Sequence, residues 1–164
     1  MTTPSMFIAA LVVVLTAGAC ADGGAVRAAP ADGACQDRAA GSSAGTRAPV
    51  PSWASVNAPG GLPVRMGVRG DALGYLFADP LRAGRPTDPA NKILWYVRQP
   101  RDGHPLEITA RPKGARAPVV RVSVPADSGP GEIYPSIVEV PSAGCWALDL
   151  SWGSNHDSLE LTYL

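Results

Sequence analysis

Few side chains in this sequence could move a proton or hold a metal. His104 and His156 are the only imidazoles, and His156 lies beside Asp157 with Asp149 a short way upstream. An imidazole flanked by carboxylates is a group that general acid–base chemistry and cation binding both use. Asp149, His156 and Asp157 therefore make one candidate site, that of an enzyme or a metal carrier. The pattern around them argues the other way. Both histidines fall in predicted turns, where polar residues gather for backbone reasons alone. Ser154 and Ser158 are what such a loop contains anyway, and there is no Gly-x-Ser-x-Gly, His-Glu-x-x-His or phosphate-binding loop. A copper centre from His104, Cys145 and His156 needs the two imidazoles and the thiolate together with a weak axial ligand, and no Met follows His156. The expectation is a chain without catalysis, metal or cofactor. Arg69-Gly70-Asp71 spells an adhesion tripeptide, yet Gly-Asp is also ordinary turn chemistry. Among the aromatics, Trp95 and Trp146 are expected in the core. Tyr96, Tyr134 and Trp152 are the candidate binding surface, because exposed aromatic rings supply contact area to partners.

The elements that must position these residues read as strands. Ile93, Trp95 and Val97 share one face, with Leu94 and Tyr96 on the other. Leu106, Ile108 and Ala110 alternate with Glu107, Thr109 and Arg111, and Val120, Val122 and Val124 with Arg121 and Ser123. Trp146, Leu148, Leu150 and Trp152 alternate with Ala147, Asp149 and Ser151, and Leu159, Leu161 and Tyr163 follow after a loop at 153–157. Weaker strands are expected over 64–68, at Leu73, Tyr75 and Phe77, and over 137–140. The segment 79–91 carries three prolines and reads as a long exposed connection. Period-two alternation with turn signals every 8–12 residues predicts an all-β, antiparallel, immunoglobulin-like β-sandwich of seven to eight strands.

Composition narrows the function classes. The chain has 164 residues, with Lys plus Arg 14 against Asp plus Glu 14. That balance lacks the cationic surplus of a phosphate-tracking protein, so no nucleic acid is expected. Gly 18 and Pro 17 are too dense for long helices.

The first residues read as an address. Met6 to Ala17 is an uncharged apolar run, shorter than the roughly 20 residues of a membrane span and of signal-peptide length. It closes on Thr16-Ala17-Gly18-Ala19-Cys20, which resembles the bacterial lipoprotein signal, or lipobox. The resemblance implies cleavage before Cys20 and a diacylglycerol on its sulfur, with the chain held at the extracytoplasmic face of the cell membrane. The match departs from the usual pattern at Ala17, where Leu is commoner, and in an n-region without Lys or Arg. If Cys20 is acylated, Cys35 and Cys145 remain. In an oxidising compartment they form either a disulfide or two free thiols, Cys145 then being a small buried hydrophobe.

The expected organisation is a signal peptide over 1–19, a disordered linker over 20–52 and the sandwich over 53–164. In the linker, ten Ala, five Gly and three Pro crowd 21–52, too little apolar surface to offset the entropy of ordering it. The stretches Pro135-Ser136-Ile137-Val138, Pro141 to Trp146 and Trp152-Gly153, with Lys92-Ile93-Leu94-Trp95 before them, resemble small secreted or lipid-anchored bacterial proteins of unassigned function. That resemblance implies a β-sandwich and no activity. The expected function is a membrane-anchored, non-catalytic binding module whose partner is a cell-wall polymer or an envelope protein. The alternative is an envelope enzyme or metal carrier using Asp149, His156 and Asp157.

Overall fold

Two long strands carry the clearest alternation in the chain, β7 (Gly144–Trp152) and β8 (Asn155–Tyr163), and they pair antiparallel along their whole length. The turn between them is two residues, Gly153-Ser154, with Trp152 opposite Asn155. Gly153 has φ +58°, a conformation that costs a residue without Cβ little. A computed structural model describes Cys35, residues 50–55 and residues 58–164, all within one compact unit spanning Ala31–Leu164. The signal peptide expected over 1–19, and Cys20, lie outside the described residues.

Before β7 come a one-turn helix α1 (Ser52–Ser55) and strands β1 (Val64–Met66), β2 (Ala72–Leu76), β3 (Lys92–Val97), β4 (Leu106–Pro112), β5 (Val120–Val124) and β6 (Ile133–Ile137). They form two four-stranded antiparallel sheets, ordered β1-β2-β3-β6 and β5-β4-β7-β8. Inward residues of both sheets merge into one core: Ile93, Trp95 and Tyr134 from the first, Ile108, Leu148 and Trp152 from the second. The chain is thus a β-sandwich.

The outer faces of the two sheets differ, and the sequence shows why. In β7 the residues between the core positions include Asp149 and Ser151, which are exposed. In β2 every residue is buried, Ala-Leu-Gly-Tyr-Leu, because this sheet is covered on both sides. Leu73, Tyr75, Tyr96 and Ile133 face outward into a second apolar cluster, roofed by Val50, Trp53, Ala54, Ala58 and Leu62. Tyr75 donates its hydroxyl to the Ala54 carbonyl at 3.0 Å, which fastens α1 down. Gly74 is required for a packing reason. A Cβ there would meet the Trp95 ring at 2.9 Å. The stretch expected as linker over 20–52 therefore has two points, Cys35 and Val50, built into the domain.

Two expectations about elements need correction. The strand expected over 137–140 lies earlier, at Ile133–Ile137, with Pro135 inside it opposite Leu94. Proline is tolerated because β6 is an edge strand, where a missing N–H can face away from the ladder. The segment 79–91 is only partly an exposed connection. Leu81 is fully buried and bridges Tyr163 in parallel, its N–H donating to the Thr162 carbonyl. Asn91 is buried too; its side chain accepts from the Arg82 N–H and donates to the Arg82 carbonyl.

Candidate functional site

Alternation along β8 separates the residues that adjacency in sequence brought together. His156, Ser158 and Glu160 alternate with Asp157, Leu159 and Leu161, so His156 points outward while Asp157 points into the sandwich. His156 and Asp157 belong to the strand rather than to a turn, since the turn ends at Ser154. Asp149 is on the outer face, paired in register with Ser158, and its carboxylate takes a 2.6 Å ion pair from Arg111. The grouping of Asp149, His156 and Asp157 as one site is thus corrected by strand geometry.

Asp157 has a different occupation. It is 2% exposed, and its carboxylate accepts four backbone N–H groups. Oδ1 takes those of Arg69 (2.9 Å) and Ser158 (2.8 Å); Oδ2 takes those of Asp71 and Ala72, both at 2.9 Å. A buried carboxylate is tolerable when its lone pairs are filled this way. Gly67 leaves the room, because a Cβ there would fall 2.1 Å from Asp157 Oδ2. The β1–β2 loop, Gly67–Asp71, is therefore wrapped round this carboxylate, with Gly70 at φ +77° and the Val68 N–H donating to the Ser158 carbonyl at 2.7 Å.

The tripeptide Arg69-Gly70-Asp71 is the tip of that loop. Arg69 Nη1 lies 2.9 Å from His156 Nε2. A guanidinium can only donate, so the ring nitrogen is the acceptor in this contact. Asp71 sits between Arg69 and Arg98 at 3.8 and 3.9 Å. This carboxylate cage was not legible along the chain, because three of its four donors are main-chain groups 85 to 88 residues away. Only the pairing of Gly67 with a polar residue on the core face of β8 could have hinted at it.

The three aromatics expected to form a binding surface do not face solvent. Tyr96 is 3% exposed, Tyr134 0% and Trp152 1%. Tyr96 lies under the roof from 50–62 and packs edge-on against Tyr75 at 5.2 Å between centroids. Burial raises its pKa. Tyr134 donates its hydroxyl to the His104 carbonyl at 2.8 Å and has the Arg101 guanidinium 5.2 Å from its ring centre. Burial pushes its pKa up to about 12, with Arg101 pulling down and Glu132 pushing up by less. Tyr163 is shifted upward by burial as well, and its hydroxyl donates to the Val138 carbonyl. Trp152 donates its indole N–H to the Gln99 carbonyl. These rings hold loops to the sandwich rather than offering themselves to a partner.

Cys35 and Cys145 are joined by a disulfide, with Cα atoms 5.0 Å apart. Cys145 is on the outer face of β7, as its alternation with Trp146 requires. Its sulfur lies 3.7 Å from Glu160 Oε2, which Lys113 Nζ reaches at 2.8 Å. The cysteines and Glu160 cluster within metal-ligand distance of one another, but the two sulfurs are bonded to each other and offer no thiolate. Two concavities on the described surface are open to solvent. One is lined by His104, Glu107, Ser151 and Ser154, another by Arg85, Pro86, Glu139 and Pro141. No helix among the described residues is long and apolar enough to cross a membrane.

Comparison with known proteins adds little. No protein-family model matches the chain, and no curated protein matches it. Among solved structures it is similar to one described as a "putative lipoprotein" from Bacillus anthracis, at 21% identity and a TM-score of 0.46. The match covers 65% of this chain and 81% of that one. A likeness of this strength carries no argument about function.

Proposed function

We propose that this chain is a lipoprotein held at the extracytoplasmic face of the cell membrane through Cys20, and that its sandwich works there as a non-catalytic interaction module. The observation that carries the reading is the Cys35–Cys145 disulfide. Disulfides persist in oxidising compartments, which supports a place for the domain outside the cytoplasm. Of three cysteines it leaves Cys20 over, at the end of an apolar run and after a small residue, where acylation would use it.

We read the sheet order as immunoglobulin-like. The run β2-β3-β6 corresponds to strands A, B and E of that fold, and β5-β4-β7-β8 to C′, C, F and G, with β1 as an added edge strand. The crossing of Leu81 from the β2 side to pair with β8 supports this reading. The side chains with chemical potential have structural partners, which favours a binding role: Asp157 its four N–H groups, Asp149 its arginine, His156 its guanidinium. The partner is a cell-wall polymer or another envelope protein. No observation favours the enzyme or metal-carrier reading.

Detergent phase partitioning of the expressed chain, with mass analysis of its mature N-terminus, tests the anchor. The wild type is expected in the detergent phase with a diacylglyceryl mass on Cys20, and Cys20→Ser in the aqueous phase. A wild type that partitions into water, or a Cys20→Ser variant that still enters detergent, overturns the reading.

A further inference from the structure

Two open sheets leave four edge strands, β1, β6, β5 and β8, and three of them are poor templates for a further strand. β1 is only three residues long. β6 carries Pro135, which has no N–H to give a neighbour. β8 is capped at two points, where the Val68 N–H donates to the Ser158 carbonyl and the Leu81 N–H to the Thr162 carbonyl. β5 pairs with β4 on one side, and among the described residues no strand or loop backbone bonds to its other side. Val120, Val122 and Val124 line its inner face, while Arg121 and Ser123 are exposed on the outer one. Arg121 makes no ion pair among the described residues. Glu107, opposite Ser123 in register, is exposed, accepts the Ser123 hydroxyl and likewise has no cation among them.

We propose that β5 is a homodimerisation edge, taken by β5 of a second copy of this chain in antiparallel register about a two-fold axis at Val122. The occupant follows from self-complementarity, which a two-fold interface demands. The strand reads Val-Arg-Val-Ser-Val. Turned about Val122, valine meets valine on the inner face, and Arg121 falls opposite the partner's Ser123. The same register sets Arg121 in line with the partner's Glu107, two strand spacings or about 9.6 Å away at Cα, across a serine too short to stand between them. Glu107 already leans toward that edge through its bond to Ser123. Two reciprocal Arg121–Glu107 pairs result, from groups that have no ion pair within one copy. Val119, 41% exposed, comes to lie across from the partner's Pro125. A charge on an edge strand ordinarily discourages pairing. Here it selects the register instead, since sliding one copy by two residues sets arginine against arginine. The pairing joins the two β5-β4-β7-β8 sheets into one continuous sheet. It is independent of acylation at Cys20, so its failure leaves the proposed anchor standing.

The test uses the full chain with its disulfide intact, in mild detergent, followed by sedimentation equilibrium. A five-residue ladder buries little area, so the dimer is weak and reversible, and the concentration series runs to about 1 mM. Arg121→Glu and Glu107→Arg, both at exposed positions, should each weaken self-association at least tenfold, because like charges then face each other twice. An equimolar mixture of the two variants restores both attractions across the axis and should associate at least tenfold more tightly than either variant alone. A second measurement fixes the contact. Arg121→Lys, prepared as isotopically light and heavy copies and mixed, is coupled by a zero-length carbodiimide, and cross-linked peptides joining position 121 of one copy to Glu107 of the other are expected. A wild type that stays monomeric throughout, self-association indifferent to both charge reversals, a mixture no tighter than its components, or cross-links confined to single copies overturns the proposal.

Discussion

Replacing Asp157 probes the link between one core-facing carboxylate and the loop it organises. In Asp157→Ala the N–H groups of Arg69, Asp71, Ala72 and Ser158 lose their acceptor together. The Ala72 N–H is buried, and leaving such a donor unpaired costs about 1–3 kcal/mol. The other three are half-buried and recover part of their loss from water, so the sum is about 4 kcal/mol. Asp157→Asn keeps the shape but turns an NH2 toward one of the two N–H pairs, and about 3 kcal/mol is expected. Asp149→Asn is the control. Its carboxylate is exposed and, among the described residues, pairs only with Arg111, so the change should stay within about 0.5 kcal/mol. Urea unfolding with the disulfide intact reads these values, and at a slope near 1.5 kcal/mol/M the alanine variant should unfold at about 2–3 M less urea. If Asp157→Asn unfolds with Asp149→Asn, the carboxylate does not hold the loop and the reasoning fails.

Other perturbations have equally definite outcomes. Gly67→Ala drives a methyl into the Asp157 carboxylate and should destabilise by several kcal/mol, on the order of 3; in the Asp157→Ala background most of that penalty should vanish, and strict additivity in urea melts would contradict the packing. Reducing Cys35–Cys145, which closes a loop of 110 residues, should cost about 5 kcal/mol on the chain-entropy account, read as a lower thermal midpoint with reductant. Ser136→Ala orphans the buried Trp95 indole N–H, now 2.9 Å from Ser136 Oγ, for about 1–2 kcal/mol by denaturant titration. Tyr134 ionises later folded than unfolded, so its contribution is complete below about pH 10 and fades as pH rises toward 12; ultraviolet titration should show this phenolate delayed in the native protein and normal in urea.

Much of the architecture was legible along the chain. Alternation of Trp146, Leu148, Leu150 and Trp152 with Ala147, Asp149 and Ser151 defined β7 and both its faces, because a strand with one face in the core and one in water must change polarity at every residue. The same rule placed Cys145 opposite Trp146. It failed for Tyr96, because alternation says which residues share a face and is silent on whether another segment covers it. The roof from Val50 to Leu62 made that outer face a second interior. It also failed for β6, where a proline that argues against a central strand is at home on an edge, and edge position is a property of the assembled sheet.

Composition and local pattern by themselves determined the all-β class, the strand faces, the apolar run at the front and the short list of titratable residues. Which of those residues meet was decided only by tertiary structure. His156 and Asp157 are neighbours in the chain and face opposite ways, while Asp157 and the stretch Arg69–Ala72 are remote in the chain and share three hydrogen bonds. The reason is physical: side-chain direction in a strand follows from local backbone geometry, whereas the partner a buried charge finds depends on which distant backbone groups the packed sheets bring within reach.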